Sequence, residues 1–276
     1  MTTVSHYHYC VRCLAALVVL ILQIACTPAE PRVYAVYSYH SDPPFTLPGE
    51  PTDLSRAWVE RFNHWQEDIQ LELVHIERAD LNALVESGEP YLILWANPLW
   101  FSFRDPDVQA SHRIFWDADI IVSLRSRPVR YTEPADLTGL HIGARQGHFY
   151  RDINKLAEQK LLNREDADRD YANYQKLLGG ELDAYIMVRS SLLYWKEHGV
   201  DTSELFVAQT PHDTYSRHIL LSQGRAELMP LLNAFIDHNA DDPKWLAQLE
   251  YWGVTRLLDP FELELDELME LDADKQ

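Results

Sequence analysis

The stretch that most constrains this chain is residues 33–61, VYAVYSYHSDPPFTLPGEPTDLSRAWVER. It opens on a run rich in Val and Tyr, a composition that suits the pleated, half-buried surface of a strand. The run breaks at Ser41-Asp42-Pro43-Pro44-Phe45, where the prolines lack the backbone donor that a central strand needs. Pro48-Gly49 breaks it again, and Thr52 or Asp53 then caps a helix. Leu54, Trp58, Phe62 and Trp65 share one face of that helix at helical spacing. A strand, an aromatic loop and a helix starting directly behind it make a ligand-binding corner. In open α/β sheets small molecules sit beyond the carboxyl ends of the strands, beside helix N-termini.

The chain then alternates strand and helix signals. Residues 69–76 alternate apolar and polar, residues 79–86 read as a short helix stopped by Gly88, and residues 91–95 are an unbroken apolar run. Asn97-Pro98 turns the chain into a loop that carries Trp100, Phe101 and Phe103. Further strands are expected at 119–124, 140–144, 184–188, 205–208 and 218–221, with helices at 174–178, 192–198, 227–239 and 243–251 and another after Gly147. Residues 125–134 are polar and contain Pro128 and Pro134, so they read as a crossing between two lobes. An internal echo supports two similar lobes: residues 83–93 and 175–186 each run helix, Gly stop, acidic residue, buried strand.

Composition narrows the function. A formal charge of −19 argues against nucleic acid, which needs a basic surface, and against docking on anionic lipid. Residues 259–274 carry eight carboxylates and no base, an acidic tail. Arg12 precedes an apolar run at 14–22, too short for the roughly 20 residues that span a bilayer, so residues 1–25 read as a secretory signal. All three cysteines, Cys10, Cys13 and Cys26, lie in or at the edge of that segment, which leaves no thiol chemistry for the body. Cys26 follows Leu22-Gln23-Ile24-Ala25, similar to a lipoprotein processing site; cleavage after Ala29 is the alternative. The twelve histidines show no metal-ligand spacing, and no nucleophile elbow, P-loop or dinucleotide fingerprint occurs, so neither a metal nor a cofactor is expected.

In order and spacing, four segments resemble the periplasmic solute-binding proteins that serve polar amino-acid transporters. They are residues 39–45, residues 139–147 (GLHIGARQG), residues 177–184 (LLGGELDA), and the strand at 217–222 with the helix after it. The resemblance covers nearly all of residues 32–256. It implies a two-lobe α/β fold of the type II periplasmic-binding-protein class, with two hinge crossings near residues 122–127 and 215–221. Residues 32–122 with 217–258 would form lobe 1, and residues 123–216 lobe 2. It implies a periplasmic monomer that is no enzyme, captures a small polar or anionic solute for an ABC transporter permease, and meets the membrane only through a lipid on Cys26. The position where the family pairs a ligand ammonium with an acid is Val188 here, which argues against an ordinary amino acid.

The candidate ligand contacts are Tyr39, Phe45, Asn97, Trp100, Arg104, Gln146, Gly147, His148 and Arg189. The aromatic residues suit a flat or apolar ligand face. Arg104 suits a carboxylate held bidentately, with a surface pair to Asp105 or Asp107 as the alternative. Residues 146–148 offer amides at a helix start. Arg189 would replace the missing acid with the opposite charge. Arg145 is expected to face solvent. Three alternatives stay open: an enzyme of dehydratase type on the same scaffold, a ligand-sensing module, and a degenerate accessory protein that no longer binds a ligand.

Overall fold

A computed structural model describes residues 30–258. The signal segment, Cys26 and the acidic tail lie outside the described residues. The described residues form ten strands: β1 (Arg32–Ser38), β2 (Ile69–His75), β3 (Leu92–Ala96), β4 (Gln109–Ala110), β5 (Phe115–Leu124), β6 (His141–Arg145), β7 (Asn163–Ala167), β8 (Ala184–Val188), β9 (Leu205–Val207) and β10 (Asp213–Leu221). The helices are α1 (Leu54–Trp65), α2 (Arg78–Ser87), α3 (Arg151–Glu158), α4 (Asp170–Leu178), α5 (Arg189–Glu197), α6 (Met229–Ala240) and α7 (Pro243–Tyr251).

The strands run in the order β2-β1-β3-β10-β5-β8-β6-β7, with β4 beside β10 and β9 beside β5. Two of them tie the halves together. β10 pairs with β5 over residues 213–217 and with β3 and β4 over residues 218–221. β5 faces β10 with residues 115–119, then β8 and β9 with residues 119–124. The parallel pairs β1–β2, β1–β3, β6–β7 and β6–β8 are covered by helices, as parallel sheets require.

Hydrophobic burial follows the same division. Trp58, Phe62, Trp95, Phe115, Phe235 and Trp245 fill the core of the first half. Ile120, Val122, Tyr185 and Trp195 pack on one face of the second half, and Ile121, Ile142, Ile186 and Ile153 on the other. The switch from Ile120 to Ile121 between faces is the two-residue period of a strand covered on both sides. In α1, Asp53 caps the first turn by accepting the Arg56 N–H, and Leu54, Trp58 and Phe62 are buried. Each such fully buried large side chain contributes about 1.5–3 kcal/mol. Gly88 ends α2 at φ 76°, a left-handed position that glycine takes without strain.

Residues 125–134 are not a crossing. They form a turn on the second half, where the Val129 N–H donates to Ser123 Oγ and Leu124 bridges to Arg127. Their polarity and prolines belong to a surface turn. The crossing lies upstream: Phe115 packs in the first core, Ala118 in the second. The β7 strand, NREDA, has no apolar alternation to announce it. It is an edge strand that pairs with β6 alone among the described residues.

Candidate ligand cleft

The broken loop after β1 reaches across to the second half. Asp42 Oδ2 lies 3.1 Å from Arg145 Nε, at the end of β6. Arg145 Nη2 donates to Ser41 Oγ at 2.5 Å. The Asp170 N–H, in the first turn of α4, donates to Asp42 Oδ1 at 3.0 Å, and Ser191 Oγ, in the first turn of α5, donates to the Pro43 carbonyl at 2.6 Å. Two helix N-termini therefore face this loop, where their free N–H groups and positive dipole ends favour a carboxylate.

One guanidinium here serves two carboxylates. Burial pushes the Asp42 carboxyl up while Arg145 pulls it down. Burial, then Asp42, push Asp170 well above the usual carboxylate range. Neither Asp170 carboxylate oxygen has a hydrogen-bond partner among the described residues. Beside the contact lies a cavity of about 10 Å³, lined by His40, Ser41, Asp42, Phe45, Arg145, His148, Val188 and Ser191. That is room for about one water molecule. Burial, reinforced by nearby arginines, lowers both His40 and His148 well below the usual histidine value, so both are neutral at pH 7.

A second arginine organises the hinge. Arg217 Nε donates to Asp117 Oδ2 at 2.7 Å and Nη1 to the Trp95 carbonyl at 2.7 Å, and both side chains are wholly buried. Its guanidinium lies 4.5 Å from the centre of the Phe45 ring. Asp117 also accepts from Ser190 Oγ at 2.8 Å and from the Ala118 N–H at 2.9 Å. From Arg217 Nη2 the chain continues to the Tyr215 hydroxyl at 3.4 Å, which donates to Asp119 Oδ1 at 2.9 Å. Burial pushes Asp119 up to about 7, against the lowering effect of the Tyr215 hydrogen bond.

No family model matches the chain, and no curated protein matches it. Solved structures do. The GluR0 ligand-binding core from Nostoc punctiforme, in complex with (L)-glutamate, is 14% identical over 81% of this chain and 100% of that one, at TM-score 0.64. A mutant of ArgBP from T. maritima is 15% identical over 80% of this chain and 94% of that one, at TM-score 0.63. The ancestral amino acid-binding protein AncCDT-1, a precursor of cyclohexadienyl dehydratase, is 13% identical over 80% of this chain and 95% of that one, at TM-score 0.61. The fold is that of the two-lobe type II periplasmic binding proteins.

In this two-lobe fold, the residues singled out from the sequence divide into two groups. Tyr39 and His148 meet across the lobes with ring centres 6.1 Å apart, and Gly147, at φ 75°, passes near Arg78. Phe45 and His148 line the small cavity. Trp100 stands edge-on to Tyr215 at 4.7 Å, beside the hinge. The others lie elsewhere. Asn97 is a structural cap: its Oδ1 accepts the Leu99 N–H, and its Nδ2 donates to the Ser216 carbonyl. Arg104 pairs with Glu86 at 2.8 Å and covers the Phe103 ring, a surface contact. Gln146 is exposed, and Arg189 is buried at the start of α5 outside the cavity lining.

Arg145 corrects an expectation. It is 6% exposed and forms the centre of the contact between lobes. Asp42, Asp119, Asp170 and Arg217 were missed as well. One signal was available: Arg217 leads into the apolar run 219–221, where a buried charge requires a partner, and the other hinge strand carries two acids, Asp117 and Asp119.

Proposed function

We propose that this chain is an exported solute-binding protein whose two lobes close on a small polar solute for delivery to an ABC transporter. The observation that supports this most is the set of polar contacts between Asp42, Ser41 and Pro43 on one lobe and Arg145, Asp170 and Ser191 on the other. Such buried pairs form only when the lobes meet, so closing and opening interconvert two well-defined states. In this reading the boundary moves from residue 122 to Asp117, because the core changes there. The solute enters an opened cleft between the Tyr39 side and the His148 side. Export and lipid attachment at Cys26 remain parts of the same proposal.

A thermal-shift screen of amino acids, dicarboxylates and polyamines tests it, because a ligand that binds only the folded state raises the melting temperature by mass action. At least one stabilising solute with no product formed supports the reading, and turnover of a hit supports the enzyme alternative. The fold leaves that alternative in play, since AncCDT-1 is described as an amino acid-binding precursor of a dehydratase. A second reading, the accessory protein without a ligand, draws support from the closed interface: its own side chains leave a space of only about 10 Å³. Silence across the whole screen favours it.

A further inference from the structure

Asp117 and Asp119 lie two residues apart on β5 and so face the same side of the sheet, where Arg217 forms its ion pair with Asp117. Arg217 is committed to Asp117, the Trp95 carbonyl and the Tyr215 hydroxyl. Asp119 has only the Tyr215 hydroxyl as a side-chain hydrogen-bond partner among the described residues, and that bond occupies one oxygen. Unlike Asp117, Asp119 is not fully buried.

Its position is central. Asp119 pairs with Val188 on β8 and with Asp213 on β10, at the junction of the lobes. Tyr39, from the first lobe, and Tyr150, from the second, both feel its charge. Tyr215 and Trp100 add an edge-to-face pair of rings. The nearby arginines already have partners in the protein. Arg145 holds Asp42 and Ser41. Arg78 lies over the Tyr39 and Phe101 rings at 4.7 and 4.4 Å and donates to Asn82 and the Trp100 carbonyl. A carboxylate set among rings, with one oxygen open and no arginine of its own, is matched by a cation from outside.

We propose that Asp119 recognises the ammonium or guanidinium group of a small organic cation, whose body rests against Tyr39, Tyr215 and Trp100. This rests on the solute-binding reading above and reverses the anionic preference drawn from the sequence. The charged and titratable groups facing Asp119 are Asp117, Asp170, Asp213, Arg217, Tyr39, Tyr150 and Tyr215. Burial first, with Asp117 and Asp213 adding to it against Tyr215 and Arg217, pushes the Asp119 carboxyl up to about 7. Protonation removes its attraction, so affinity for a cation weakens as pH falls through about 7.

The test is isothermal titration calorimetry of the full chain with putrescine, L-arginine and succinate, on wild type and Asp119→Asn. Asparagine keeps the shape and still accepts the Tyr215 hydroxyl, and thermal unfolding checks that the variant is folded. Wild type binds putrescine or L-arginine and not succinate. The variant binds the same cation at least about tenfold more weakly, from the loss of a charge-assisted hydrogen bond, and without the pH dependence. Equal cation binding by both proteins, or binding of succinate alone, overturns the role of Asp119 and leaves the solute-binding reading standing. No heat from any of the three with wild type counts against both.

Discussion

Two buried arginines hold this molecule together in opposite ways. Arg217, at the hinge, has its charge matched by Asp117, and Asp117 has its remaining capacity filled by Ser190 and the Ala118 amide. Arg145, between the lobes, faces Asp42 and Asp170 together, and its Nη1 and both Asp170 oxygens have no hydrogen-bond partner among the described residues. Buried polar groups stabilise when fully satisfied and destabilise when left short. The difference teaches what each region is for. The hinge is completed within the fold, whereas the contact between lobes is left short, and in the proposed reading it is this contact that separates when the cleft opens.

The largest effect separating the two regions is expected at the hinge. Arg217→Ala leaves Asp117 buried without its countercharge and lowers stability by about 3–5 kcal/mol. Urea denaturation measures it, and a loss below about 1 kcal/mol would remove the distinction between the arginines.

Next comes pH. With the lobes in contact, burial raises both Asp42 and Asp170 above the ordinary carboxyl range of about 4, and in the proposed reading it is closing that buries them. A group whose pKa rises on closure takes up a proton as the lobes close, so the closed form gains as pH falls through the raised values and loses as pH rises. Small-angle scattering should show a smaller radius of gyration at pH 5 than at pH 8. Asp170→Asn, which removes the surplus charge, should flatten that difference. Ser191→Ala deletes one hydrogen bond across the cleft, that to the Pro43 carbonyl, and weakens closure by about 1 kcal/mol. Its global unfolding free energy should change less than the pH response of its radius. Smallest is Arg104→Ala. Its pair with Glu86 lies at the surface, so stability changes by no more than about 1 kcal/mol and ligand affinity stays as in wild type.

How much of this was legible in the sequence follows from how local each signal is. The cap at Asp53, the stop at Gly88, the apolar strand Ala184–Val188 and the helix Pro243–Tyr251 are written in neighbouring residues, and their reading matches the structure. The contact at the centre of the cleft is not local. Arg145 and Ser41 lie 104 positions apart, and Arg217 and Asp117 lie 100 apart. A polar residue before a Gly turn reads as exposed until the facing lobe is in place, which is why Arg145 misled. Asp119 reads only as the first residue of an apolar run, and strand register is what sets it beside Val188 and Tyr215. Asn97 and Arg104 show the converse: an aromatic loop drew attention to polar residues that serve its own capping and surface.

The most direct test of hinge closure held by Arg145 is a distance across the cleft. Spin labels at Ser87→Cys on α2 and Glu158→Cys on α3, both exposed, report it once Cys10, Cys13 and Cys26 are replaced by serine. Double electron–electron resonance should give one short, narrow distance with Arg145 present and a longer, broader distribution in Arg145→Ala, with circular dichroism unchanged. Identical distributions in the two proteins would contradict the account.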